Sequence, residues 1–263
     1  MERISRTTYL KAVALVSALA SLTINFGLID LVDGFTGYVD QERNQILDVG
    51  WGAVFGVILP LGLLAQLRRP ERRIAGVQQT AVVALALALA GAAGESWRYL
   101  VLAAGVAGVS AVLLALHPAR QAFHARRKPE PTMLALAAVA AGPSLVYAWR
   151  MASAQRRDLP PADAVSNGLH HWTVMAALAL VVVLLVLLAA LRTSGWRIPA
   201  ISASLAAGAW AISCLLAPAA AAGSEGHPWA WTVLAWAVVT FATAVWPRTR
   251  DQTVTPEAQL QAT

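Results

Sequence analysis

Ionisable side chains of this chain, mostly acids and histidines, gather at the ends of long apolar stretches. They are Asp48, Glu95, Arg98, His170, His171, Glu225 and His227. Carboxylates and imidazoles that share one pocket can bind a polar ligand through hydrogen bonds, or can act as general acid and base. The sequence therefore predicts a shallow polar vestibule, with all of these residues except His227 as its candidates. The alternative is that they are solvated charges at helix starts, where the helix dipole favours carboxylates.

Two of the histidines also stand where a heme iron or a metal would need its ligands. His171 and His227 each open an apolar stretch, and the topology derived below places them on one side and at one depth. Two imidazoles in that arrangement can ligate heme. The alternative is an interfacial role, with Trp172 as the membrane anchor. His117 and His124 fall in a basic segment on the other side and cannot join this pair.

No catalytic motif of high specificity accompanies these residues. The sequence has no phosphate-binding glycine loop, no Ser/His/Asp set and no zinc-protease helix. Its lone cysteine, Cys214, gives no disulfide framework and no thiolate cluster. We therefore predict no catalytic residues and a role that is not enzymatic. The alternative is an enzyme of the extracytoplasmic face that uses Asp48, Glu95 and the histidines as acid and base.

The stretches that position these side chains are eight apolar segments, each about as long as a membrane-spanning helix. Hydrophobic residues make up 58% of the chain and charged residues 13%, against about 25% charged in soluble domains. Roughly 20 apolar residues cross the hydrocarbon core as a helix. The sequence therefore predicts an all-α, polytopic membrane protein. The predicted spans are Thr8–Ile29, Ile46–Leu67, Val77–Ala93, Tyr99–Leu116, Thr132–Trp149, His171–Leu191, Arg197–Leu216 and Pro228–Trp246.

The first stretch has a second interpretation, because Ala18-Leu19-Ala20 resembles a signal-peptidase site. The apolar run continues to Ile29, which favours an uncleaved first span. Asn25 is the most polar residue within it, and we expect this side chain to form a hydrogen bond between helices.

Charge fixes the predicted orientation of these spans. With the N-terminus in the cytoplasm, the inner segments hold 15 of the 20 Lys and Arg residues but only 5 of the 14 acids. The positive-inside rule therefore predicts a multi-pass protein of the cell membrane with both termini cytoplasmic. Only the predicted outer loop with Arg150, Arg156 and Arg157 runs against this rule. Since the basic residues lie at helix ends, we expect the lipid bilayer as partner and no nucleic acid. The sequence leaves open a small ligand, a membrane protein partner and the oligomeric state.

The chain also shows signs of an internal duplication. Residues 63–74 and 187–198 both read L-L-A-x-L-R-x-x-x-x-R-I, at an offset of 124 residues. We predict two four-helix halves, residues 1–124 and 125–246, followed by a disordered cytoplasmic tail, 247–263. Four spans per half make the repeats parallel and related by an axis along the membrane normal, with the shared interface as the place for a site. The alternative is a chance match between alanine- and leucine-rich helices.

This plan resembles that of the heme A synthases, which also have eight spans in two four-helix halves with long first outer loops. The resemblance covers most of the chain as architecture, and it implies a heme ligated by His170 or His171 together with His227. The residues depart from the family, because Asp48 stands where a histidine is expected and the fourth span has no outer histidine. A heme-binding or redox membrane protein is therefore the alternative function.

Our leading prediction is a permease-like or accessory membrane component whose outer vestibule takes a neutral or amphipathic ligand. The reason is that the predicted spans carry almost no charge, whereas ion pathways usually contain intramembrane ionisable residues. Gly52-x-x-x-Gly56 predicts a close helix approach in the second span, and Pro60, Pro143 and Pro199 predict kinks in their spans.

Overall fold

Every regular element that the structure describes is a helix. The structure is a computed structural model, and it describes residues 5–23, 26–36, 45–123, 129–157, 170–217 and 223–246. Eight of its helical segments are long and apolar enough to cross a membrane, which confirms the predicted all-α class. Spans one to eight are Arg6–Thr36, Gln45–Leu67, Ile74–Ala93, Trp97–Leu116, Pro131–Arg156, His171–Ala190, Arg197–Leu216 and His227–Val245.

Several predictions fall on residues outside these described ranges. They concern the disordered tail, the interhelical role of Asn25, and part of the first outer loop, which the predicted spans place between Ile29 and Ile46 and which contains Asp40, Glu42 and Arg43. We call the end of the bundle that carries Asp48 and His171 the outer end, following the charge prediction.

Span one is longer than predicted and consists of two helices, Arg6–Thr23 and Gly27–Thr36. Asp30 and Asp33, which we expected in the first outer loop, lie in the second helix. Asp30 sits in its first turn, where the partial positive charge of the helix N-terminus favours a carboxylate. Span five is also longer, so Arg150 and Arg156 are helical and do not belong to a loop. Their long side chains can reach a polar boundary from a position inside a helix.

Span two combines an irregular backbone with close packing. It begins as an α-helix, becomes a π-helix over Gly52–Ile58 and returns to α-helix at Leu59. Pro60 has no N–H for the carbonyl four residues earlier, at Gly56, which accounts for an interruption at this point. Gly52 packs directly on the backbone of Leu31, and Gly56 on that of Gly27 in span one. The predicted close approach at Gly52-x-x-x-Gly56 is therefore confirmed.

The eight spans form a centre and a periphery. In spans two, three, six and seven most residues are buried, whereas no more than a quarter are buried in spans one, four, five and eight. The peripheral spans expose large apolar side chains, among them Val101, Val146 and Val238. Such a surface is apolar where a soluble protein would be polar. The site described next therefore lies among the four central spans.

Neighbouring spans pack in a regular pattern around this centre. Span three packs on span four, span five on span six, and span seven on span eight. Across the middle, span six contacts spans two and three, and span two contacts span seven. At the inner end, Gln79 donates to the Ser202 hydroxyl of span seven over 3.0 Å, and Thr193 donates to Gln78 over 2.7 Å. These bonds connect span three to span seven and to the turn that precedes it.

Candidate functional site: a buried Asp–His pair between spans two and six

The structure brings Asp48 and His171 together at the outer end of the two central helices. The Asp48 Oδ1 and His171 Nδ1 atoms are 3.2 Å apart. Asp48 is in the first turn of span two, and His171 is the first residue of span six. Two helix N-termini therefore meet at this point, and their combined positive potential favours the Asp48 carboxylate. Both residues are buried, with 9% and 4% of their surface exposed.

An aromatic wall forms one side of the pair. The Trp51 ring lies one turn after Asp48, with its centroid 5.5 Å from that of His171 and the planes tilted by 38°. Tyr99 of span four meets Trp51 edge-on at 6.0 Å, and Phe55 packs on Trp51 at 4.7 Å. The imidazole is thus held between a carboxylate and an indole. A ligand here would meet a hydrogen-bonding side and an apolar side.

Several polar atoms around this pair lack hydrogen-bond partners. Among the described residues, neither ring nitrogen of His171 makes a hydrogen bond of acceptable geometry, the short Asp48 approach included. The same holds for Trp172 Nε1, Thr173 Oγ1 and Gln155 Oε1, all at the outer ends of spans five and six. Buried polar groups in folded proteins are nearly always hydrogen-bonded. The outer end therefore offers donors and acceptors to a polar molecule.

Asp30 adds a third ionisable group from span one. It interacts electrostatically with both His171 and Asp48. It is placed there by the contact between Gly27 and Gly56, three residues before it in the helix. Asp30 was not among the predicted vestibule residues. Its carboxylate adds a second acidic group within electrostatic range of the imidazole.

His170 extends the site towards span four. Its Nδ1 lies 3.0 Å from the hydroxyl of the buried Ser96, in the turn between spans three and four. His170 has a φ of 56°, and this left-handed backbone turns its side chain away from the helix that begins at His171. The predicted His170 and His171 thus contact different partners, Ser96 on one side and Asp48 on the other.

The remaining predicted residues lie on the rim or elsewhere. Glu95 and Arg98 are exposed near the start of span four, with the Arg98 guanidinium 6.0 Å from the Trp97 ring. Glu225 forms an ion pair of 2.6 Å with Arg150, which connects span five to the turn before span eight. Within the part of the chain that the structure describes, Asp48 and His171 therefore come together, His170 contacts Ser96, and Glu225 pairs with Arg150.

The predicted heme pair is not in contact among the described residues. His171 faces Asp48 and Trp51 of span two, whereas His227 is exposed at the start of span eight. No group of three or more His, Cys, Asp or Glu side chains that could hold a metal ion occurs in the described parts of the chain. Comparison of the chain with models of protein families, with curated proteins and with solved structures finds no match.

Sequence reasoning missed the aromatic wall and the inner glutamines. Gln79 is completely buried in span three and donates to the Ile58 carbonyl as well as to Ser202. Two adjacent glutamines at the start of an apolar stretch were a visible signal of an interhelical network. Trp51 and Tyr99 carried no such signal, because tryptophan and tyrosine near span ends are expected at any membrane interface.

Proposed function

We propose that the chain is an integral membrane protein that crosses the bilayer eight times, with both termini in the cytoplasm. Two observations support this: eight apolar helices, and peripheral spans whose exposed faces carry large aliphatic side chains. The concentration of arginine and lysine in alternate connections supports the orientation.

The orientation can be tested with two matched cysteines. Glu71 and Glu95 are both exposed, in the connections before spans three and four, and lie at opposite ends of the bundle. In a Cys214→Ala background, Glu95→Cys should react with a membrane-impermeant maleimide on intact cells, and Glu71→Cys only after lysis. The reverse pattern would contradict the proposed orientation.

We further propose that residues 1–124 and 125–246 are two parallel four-helix repeats. The packing supports this, since the second and third spans of each group are central and its first and fourth are peripheral. Spans two and six, which correspond in the proposed repeat, contact each other at the middle. Asp48 and His171 are 123 residues apart, one less than the offset of the repeated motif. The pair would then lie at the axis between the halves.

We propose that this pair is the binding site of a permease-like or accessory membrane component that takes a neutral or amphipathic ligand. The observation that carries the proposal is the buried His171 ring beside Asp48, whose two nitrogens make no hydrogen bond of acceptable geometry to any described residue. A ligand hydroxyl or amide can donate to one group and accept from another, while Trp51 packs on its apolar part. An anion fits less well, because it would meet the carboxylates of Asp48 and Asp30.

Binding from the outside requires that the buried site opens outward. Thr173 is fully buried two residues after His171, and Thr80 is equally buried near the inner end of span three. With Cys214→Ala as background, Thr173→Cys should react slowly but completely with a small, positively charged methanethiosulfonate added to intact cells. Thr80→Cys is the matched control and should stay unmodified. Thr173→Cys that remains unreactive while Glu95→Cys reacts would contradict the proposal.

The same reaction identifies the class of ligand. Neutral probes (sugars, polyols and small amides) and the amphipathic lysophosphatidylcholine are added before the reagent, with acetate and ethylammonium as charged comparisons. We expect a neutral or amphipathic probe to slow modification of Thr173→Cys, and Asp48→Asn or His171→Asn to remove that protection. Protection by the charged probes alone would contradict a neutral ligand.

A further inference from the structure

A second potential site lies apart from the Asp48–His171 pair, within spans five to eight. It is a cavity of about 330 Å³, and its lining is almost entirely apolar. Aromatic rings form much of the wall: Tyr147 from span five, Trp210 from span seven, and Trp229 and Trp236 from span eight. The cavity is a cleft that reaches the surface of the helix bundle and not an enclosed void.

The cavity opens sideways between spans five and eight. These two peripheral helices pack on each other far less than on their central neighbours. Two hydrogen bonds bridge the gap: Trp236 Nε1 donates to the Leu136 carbonyl at 3.0 Å, and Tyr147 donates to the Gly223 carbonyl at 2.7 Å. Between them, Val139 lines the cavity and is 70% exposed on the lateral surface. In the proposed topology this opening faces the hydrocarbon of the membrane.

The indole Nε1 of Trp210 is a hydrogen-bond donor in the apolar wall. Trp210 is 7% exposed and its ring packs edge-on against Tyr147, whose hydroxyl is its nearby acceptor, but among the described residues Nε1 has no acceptor in good hydrogen-bond geometry. An indole N–H in an apolar environment normally finds an acceptor. A bound molecule that fits this wall would therefore carry an uncharged acceptor next to its apolar chain.

We propose that the cavity binds one hydrocarbon chain of a membrane amphiphile, fatty acyl or isoprenoid, which enters between spans five and eight. Its ester carbonyl or hydroxyl oxygen accepts a hydrogen bond from Trp210. An apolar cavity of about 150 Å³ holds one benzene, so this volume has room for roughly a dozen carbons. The lining of span five runs over nine residues from Val139 to Tyr147, which is about 12 Å of helix from the first to the last. The proposal depends on membrane insertion but not on a ligand at His171.

Photocrosslinking of the full chain in phosphatidylcholine nanodiscs tests this proposal. One arm uses a phosphatidylcholine with a diazirine near the end of an acyl chain, and the other a diazirine-bearing isoprenoid alcohol. We expect label from at least one arm to concentrate on cavity-lining residues of spans five and eight. Ala179→Trp fills the cavity and should lower this labelling at least fivefold. Val146→Trp, on the exposed face of span five, is the matched control and should leave it unchanged.

Two further variants keep the test decisive. Ala140→Phe also fills the cavity and replaces Ala179→Trp if that protein is not monodisperse. Trp210→Phe should lower the preference for the ester or alcohol probe over a diazirine alkane about fivefold, the effect of one hydrogen bond. Label spread evenly over the exposed apolar faces, or unchanged labelling in both filled variants, would overturn the proposal. An unchanged probe preference in Trp210→Phe would overturn the role of Trp210.

Discussion

Replacing Gly56 by alanine should destabilise the fold and displace the site, although alanine is the better helix former. A Cβ at Gly56 would stand less than 3.0 Å from both carbonyl atoms of Gly27 in span one. These are backbone atoms, so no side chain can rotate out of the way. Three residues after Gly27 lies Asp30, which interacts with Asp48 and His171. The contact between the two glycines therefore also positions the third ionisable group of the site.

The expected size of the effect follows from two opposing contributions. Overpacking a close contact costs about 1–3 kcal/mol, and a contact between backbones belongs at the upper end of that range. Replacing glycine by alanine inside a helix returns up to about 1 kcal/mol. The net loss is then roughly 2 kcal/mol. For a chain of this size, the midpoint of thermal unfolding should fall by about 4–8 °C.

Thermal unfolding in detergent, followed by tryptophan fluorescence, measures this loss, since the chain has ten tryptophans. Gly105→Ala in span four is the matched control, because a Cβ at that position would have no neighbour within 4 Å. Its unfolding midpoint should stay unchanged or rise. If Gly56→Ala unfolds no earlier than Gly105→Ala, the close packing of spans one and two is not as described.

Three further predictions use the same purified protein. Burial lowers the pKa of His117 below 6.5 in the folded state and outweighs the hydrogen bond with the Pro70 backbone and the Glu71 charge, which raise it. Below pH 6.5 the unfolded chain therefore binds more protons than the folded one, and the unfolding midpoint should fall as the pH drops below 6.5. His117→Gln should make the midpoint less dependent on pH, and an equally steep dependence in this variant would refute the role of His117. Gln79→Leu should lower the free energy of unfolding by roughly 0.6–2 kcal/mol. This loss should exceed that of Ser202→Ala, because Gln79 donates to the Ile58 carbonyl as well as to Ser202. Equal losses in the two variants would contradict this order. The heme alternative requires a Soret band that His227→Ala abolishes, and a colourless protein that does not take up added hemin would refute it.

The spans could be predicted from the sequence because a single physical length controls them. A helix must carry about 20 apolar residues to cross a bilayer, and this requirement is local in the chain. The predicted Arg197–Leu216 is identical to the observed helix, and Ile46–Leu67 differs by one residue. The errors occur where charge falls within a helix. Asp30 and Arg150 were assigned to loops because an ionised side chain inside a span is costly unless it finds a partner.

The sequence could not predict which of these polar side chains contact each other, because the contacts arise from packing between spans that are far apart in the chain. The motif offset placed Asp48 and His171 at corresponding helix starts, but corresponding positions do not have to touch. They touch because spans two and six cross at the middle, where Gly50 leaves room for the Met175 side chain. Glu95 and Glu225 also occupy similar positions in the sequence, yet one is exposed and the other pairs with Arg150.

The proposed duplication explains why the molecule would have one site at its centre and not two. In the proposed repeat, side chains from both halves would approach the axis between them, and two identical carboxylates there would repel each other. His171 lies opposite Asp48, so the two sides are complementary and the pair can be buried. The two proposed halves would also differ away from the axis. The aromatic cavity of spans five to eight is lined by Trp229, and Tyr99, at the comparable place in span four, packs against Trp51. The proposed first half thus contributes Tyr99 to the aromatic wall of the central site, whereas in the proposed second half Trp229 lines a separate cavity.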